Sequence, residues 1–268
     1  MDNKVINRKR QTIIYLIITF GITYMTWGYI AIYTQINQVE FSEVPILYLF
    51  YILGVIAPMI GAVAVKIRFD LKNFTKSVFL PKIDILTFLF ILVMAFLTRM
   101  LPSIIETKAL SFSLVVFTQI PLFILFGGLE EIGWRGILHQ NLDTFGNQIK
   151  TGLIVGLIWT IWHLPLFFIL GTYQNLQGDF LIFLLNTLAF SVMLGVVYHR
   201  TRNIFTCILF HALMNSIANT YLVSDNLLTA IIVFAFTMIS SYLALRYLPT
   251  IKLLRKNRIA STENRSAQ

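Results

Sequence analysis

The sequence predicts an all-α, polytopic membrane protein of about eight transmembrane helices with both termini cytoplasmic. Three observations predict it. Of the 268 residues, 57% are hydrophobic and only 12% charged, about half the charged share of ordinary soluble domains. The apolar residues gather into runs near the roughly 20 residues needed to cross about 30 Å of hydrocarbon. Lysine and arginine favour every second connector, the asymmetry that sets cytoplasmic sides.

The first run, about 12–34, follows Lys4, Arg8, Lys9 and Arg10. It exceeds a signal-peptide core and lacks a small-residue cleavage site, so it reads as a retained anchor. Glu40 and Glu43 precede the second run, 44–66. Lys66, Arg68, Lys72, Lys76 and Lys82 then fill a connector that reads as a basic topology loop, with an interfacial amphipathic segment over 66–84 as the alternative. The third run, 83–104, carries Arg99 near its outer end. Runs four to eight follow at 111–139, 149–170, 179–199, 203–221 and 226–248. Pro58, Pro121 and Pro165 fall inside runs, which membrane helices tolerate better than soluble ones. Arg200 and Arg202 fill the sixth connector, and Lys252, Arg255, Lys256 and Arg258 begin a polar tail.

This divides the chain into helices one to three with a basic loop (1–110), a core (111–221), a last helix (222–250) and a basic tail (251–268). The net charge of +9 lies on the flanks of apolar runs, which suits anionic lipid headgroups and argues against nucleic acid. The one cysteine, Cys207, excludes an intramolecular disulfide, and no zinc-binding Cys/His spacing occurs.

Ionisable groups within apolar runs cost a few kcal/mol each and point to function. In "EEIGWR", Glu131 and Arg135 stand one helical turn apart and can pair. Glu130, rotated about 100° away, lacks that partner and is a candidate general base. Capping of a helix end by all three is the bland alternative. In "WTIWHLP", His163 sits mid-run; alone, it would serve equally as an interhelical hydrogen-bond donor. In "HALMN", His211 and Asn215 share a helix face, as two hydrogen-bond donors, two metal ligands or polar glue between helices. Measured from the expected cytoplasmic ends, Glu130 lies about 14 Å deep, His163 roughly 20 Å and His211 roughly 12 Å. The groups can therefore meet in one layer. His139 and His199 are read as cations at cytoplasmic helix ends, and Asn186 and Asn219 as interhelical hydrogen bonders.

The three motifs in this order, EExxxR, then an aromatic-xxx-His, then HxxxN, resemble the CPBP family of intramembrane proteases. This is the CAAX protease and bacteriocin-processing or Abi family, with its Rce1-type endopeptidases. Trp159 stands where the family commonly has phenylalanine, a departure expected to matter little. The resemblance implies an intramembrane endopeptidase acting on a membrane-associated peptide or protein. Glu130 and His163 would activate water, and His211 and Asn215 would hold the oxyanion. Glu131 and Arg135 would orient them. A metalloprotease label attaches to the family, and a zinc ion would fall to Glu130, His163 and His211. The lack of HExxH and the weakness of asparagine as a zinc ligand favour metal-free catalysis. Composition suits an AT-rich bacterial genome, hence a bacterial plasma membrane, with the site open to the cytoplasm and peptide pheromone or bacteriocin processing as the setting. The alternative is a non-catalytic immunity or scaffold protein binding a bacteriocin-like peptide or partner in the same cavity. A transporter normally shows repeated halves, and none is evident.

Overall fold

The computed structural model describes residues 3–69, 78, 83–100, 113–143, 146–221 and 226–248. Among these the chain is all-α with no strand, an all-α polytopic membrane protein. The interfacial alternative at 66–84 and the basic tail fall mainly or wholly outside the described residues.

Among the described residues, five helices are long and apolar enough to cross a membrane. They are α1 (Asn3–Asn37), α2 (Pro45–Phe69), α6 (Gln148–Trp162, with the turn to Phe168), α8 (Phe180–Thr201) and α10 (Leu227–Tyr247). The expected fourth span is broken: α4 (Val115–Leu125) and α5 (Gly128–Leu142) meet at 42°, and together they make a sixth candidate. The break falls at Gly127, whose φ of +132° is a conformation side-chain-bearing residues rarely adopt. The expected third and seventh spans are shorter apolar helices, Ile85–Arg99 (beginning with α3, Ile85–Ala95) and α9 (Ile204–Thr220). A short α7 (Tyr173–Gln177) lies between α6 and α8.

Small residues let the helices approach. A Cβ on Gly152 would lie 2.9 Å from the Val192 Cα, and one on Gly156 2.9 Å from the Ser191 Cβ, so α6 packs directly on α8. Likewise a Cβ on Gly61 would meet the Thr19 hydroxyl at 2.6 Å, where α2 crosses α1. Such close crossings are the usual way apolar helices associate without water to drive them together.

Two sets of ties show which helix ends share a side. At one end, Asn141 donates to the Thr12 hydroxyl, Arg202 pairs with Asp143 at 3.1 Å, and Arg200 reaches Asp84, Thr87 and the Leu248 carbonyl. At the other, Phe41 N–H donates to the Leu170 carbonyl, and Ser113 N–H donates to the Tyr221 hydroxyl. The start of α1 and the ends of α5, α8 and α10 therefore lie opposite the first connector and the α6–α8 connector.

Candidate functional site

The break after α4 starts the site. After Gly127 the chain makes a tight turn, Gly128–Glu130, which leads into Glu131–Gly133 and then a widened π-helical stretch, Trp134–His139. Such widened turns often mark functional positions in helices. Here the turn directs Glu130 and Glu131 to different neighbours.

Glu130 is 6% exposed. Its Oε2 accepts from the indole N–H of Trp159 at 2.9 Å and of Trp134 at 3.3 Å. Glu130 has no arginine partner, as the spacing implies, and Trp159 gives it a hydrogen-bond donor that the phenylalanine of the family pattern would lack. The signal was present: Trp159 lies four residues before His163 on α6, one turn away.

Glu131 is fully buried and bridges two partners. Its Oε2 takes the Arg135 Nε at 2.8 Å, and its Oε1 lies 2.9 Å from the His211 Nδ1. Arg135 also donates to the Ser191 carbonyl and hydroxyl at 3.2 and 3.1 Å, and Ser191 in turn donates to the Gly152 carbonyl. Pairing plus further hydrogen bonds is what makes a buried arginine tolerable. His139 is not an interfacial cation: it is fully buried between Arg135 and Gln148. The widened turn carries it inward.

His163 caps the end of α6, and its Nδ1 lies 2.9 Å from the Trp159 carbonyl. A carbonyl only accepts, so Nδ1 carries the hydrogen; in the neutral ring, Nε2 then holds the lone pair. The rings of Trp162, Phe183 and Trp159 surround it, with centroids 4.6, 5.2 and 5.7 Å away. Trp159 also makes an edge contact with His211 at 5.3 Å, so its ring contacts both histidines.

On α9, His211 and Asn215 face the break between α4 and α5. A Cβ placed on Gly127 would lie 2.6 Å from Asn215 Nδ2 and 2.9 Å from His211 Nε2. Two nitrogens from one helix face thus converge on a space that only a missing side chain leaves. Gly127 was not singled out in the sequence, although it opens the "GGLEE" run.

Glu130, His163, His211 and Asn215 all line one cavity of about 750 Å³. Glu131 and Arg135 do not line it; they stand buried behind it. Asn186 and Asn219 also line it, and Asn219 bonds across to Gln119 of α4 at 3.2 Å. Among the described residues no three His, Cys, Asp or Glu side chains form a group placed to hold a metal ion. The expected ligand set of Glu130, His163 and His211 lines the cavity without forming such a group.

The lining of the cavity includes Phe41, Arg99, Gly171, Gln174, Asp179 and Tyr221, all from the end opposite Arg8, Arg200 and Arg202. Toward that basic end, the layer of Arg135, His139, Gln148 and Ser191 is buried and hydrogen-bonded. The cavity is thus lined from the end of the bundle away from Arg8, Arg200 and Arg202.

Residues 109–217 match the family model described as type II CAAX prenyl endopeptidase, Rce1-like. A protein of Methanococcus maripaludis named CAAX prenyl protease 2 is 28% identical over 111 residues, which cover 39% of this chain. The chain spans 41% of the length of that curated relative.

Proposed function

From the match of residues 109–217 to the Rce1-like family model, we propose that this protein is an intramembrane endopeptidase. It hydrolyses a peptide bond in a membrane-associated peptide or protein. The observation that carries the proposal is the cavity in which Glu130, His163, His211 and Asn215 meet from three separate helices.

The chemistry follows from the donors and acceptors. Water held by the His163 Nε2 lone pair gives its proton to the Glu130 carboxylate as its oxygen attacks the scissile carbonyl. The indoles of Trp134 and Trp159 occupy Oε2 of Glu130, which fixes the carboxylate and leaves Oε1 to the water. The carbonyl oxygen becomes an oxyanion in the space beside Gly127, where Asn215 Nδ2 and His211 Nε2 converge. For Nε2 to donate, the His211 ring must carry both hydrogens, and Glu131 supplies its counter-ion. The proton on Glu130 then passes to the leaving amine, the carbon–nitrogen bond breaks and the oxyanion reverts to a carboxyl.

The test is cleavage of a library of fluorogenic peptides by the purified protein in detergent micelles or vesicles. Wild-type protein is expected to cleave members of the library, and Glu130→Gln to lose at least about 10²-fold in rate, the scale of a lost general base. Equal rates in the two proteins would sink the proposal.

A further inference from the structure

The catalytic cavity and the positive charges lie at opposite ends of the helix bundle. Among the described residues, the end that holds the start of α1 carries exposed Arg8, Lys9 and Arg10, exposed Lys150 at the start of α6, Arg202 at the end of α8 and exposed Arg246 at the end of α10. The opposite end exposes Glu40, Glu43 and Asp179, with Arg99 as its described cation. Lysine and arginine in short connectors and near helix ends mark the cytoplasmic side of a membrane.

Every connector residue that lines the cavity belongs to the other end. Phe41 and Gly171 come from two connectors joined by the Phe41–Leu170 hydrogen bond. Asp179 caps the start of α8, and Tyr221 closes the end of α9. From the cytoplasmic end the catalytic layer is closed by side chains that bond to one another: Arg135 to Glu131 and Ser191, His139 to Gln148, and Gln148 to Asp143, which pairs with Arg202. Opening that layer to admit a peptide would leave a buried arginine unpaired, which is strongly destabilising.

We infer that the cavity opens to the extracytoplasmic face, so that its occupant is a peptide segment presented from outside the membrane. An exported peptide or the outer segment of a membrane-anchored protein is the chemical class that fits. The orientation stands on the charges and the cavity lining; that the occupant is a substrate rests on the proteolytic reading above.

The test is labelling of single cysteines in intact cells, with the buried Cys207 replaced by alanine. Glu43→Cys and Gln174→Cys report the cavity end, and Lys150→Cys the other. A membrane-impermeant maleimide is expected to label the first two in intact cells and the third only after permeabilisation; labelling after denaturation controls for the amount of protein. Labelling of Lys150→Cys in intact cells, with the other two protected until permeabilisation, overturns the inference. Because labelling needs no catalysis, a protein that cleaves nothing but labels as expected sinks the proposed activity and leaves the orientation standing.

Discussion

Glu131 holds His211 by a carboxylate–imidazole contact of 2.9 Å, linking two motifs that lie 80 residues apart in sequence. The same carboxylate takes the Arg135 guanidinium at 2.8 Å. Glu131 is thus a positioning residue that sets the ring angle of His211 and, through Arg135, ties it to Ser191 on α8.

A substitution at Glu131 should therefore behave unlike one at Glu130. Glu131→Gln removes the counter-ion of a fully buried arginine, and breaking such a pair costs about 3–5 kcal/mol of stability. Glu130→Gln keeps a hydrogen-bonding group of the same size opposite two indoles and should leave the thermal midpoint nearly unchanged. Thermal unfolding in detergent, measured beside peptide cleavage, separates the two: both variants lose activity, and only Glu131→Gln loses substantial stability. Equal midpoints would remove Glu131 from its positioning role.

Trp159→Phe tests the indole donor on Glu130 while keeping an aromatic ring between the histidines. A hydrogen bond to a charged group is worth about 1.5–3 kcal/mol, so kcat should fall by about 10- to 100-fold if that bond matters most in the transition state. KM should change little, because the indole N–H is turned to Glu130 rather than to the peptide. An unaltered kcat would mean that Trp134 alone suffices to hold the carboxylate.

Spacing made part of this site legible. Glu131 with Arg135 and His211 with Asn215 are four apart, and helix geometry puts such pairs on one face whatever the tertiary fold. The apolar runs likewise revealed the helices, because a bilayer leaves few other ways to satisfy a backbone. Three features were not legible. The Glu131–His211 contact joins distant segments, and nothing local announces it. The break at Gly127 depends on a positive φ that a run of apolar residues conceals. The cavity mouth is set by which end of the bundle is sealed, and the seal is made by His139, Gln148 and Ser191, which read singly as unremarkable polar residues.

Asp84 supplies a pH-dependent test outside the spans. Burial pushes its carboxyl up, but hydrogen bonds from Thr87 and the nearby Arg200 outweigh that and hold it below the usual carboxylate range. A lowered folded-state value means that the stabilisation is present above the unfolded value, near about 4, and is lost as pH falls through the folded one. Thermal midpoints should therefore show no Asp84-dependent change between neutral pH and about pH 5. Asp84→Ala should lower the midpoint throughout that window, by an amount that includes a lost helix cap of about 1 kcal/mol. The difference from wild type should shrink below the usual carboxylate range; a difference that instead grew with acid would contradict the assignment.

Gly127 offers the sharpest probe of the oxyanion space. An alanine there places a methyl group 2.6 Å from Asn215 Nδ2 and 2.9 Å from His211 Nε2, closer than real side-chain contacts allow. It also forces an L side chain onto a φ of +132°, at a cost of about 1–3 kcal/mol. Asn215→Ala supplies the control, since it removes one donor without filling the space. Removal of one oxyanion donor typically costs about 10²–10³ in kcat. Gly127→Ala, which blocks the space and displaces both donors, should lose at least as much as Asn215→Ala, and adding Asn215→Ala to it should cost little more. Additive losses in the double variant would show that the two positions act independently, and the oxyanion would have to be held elsewhere.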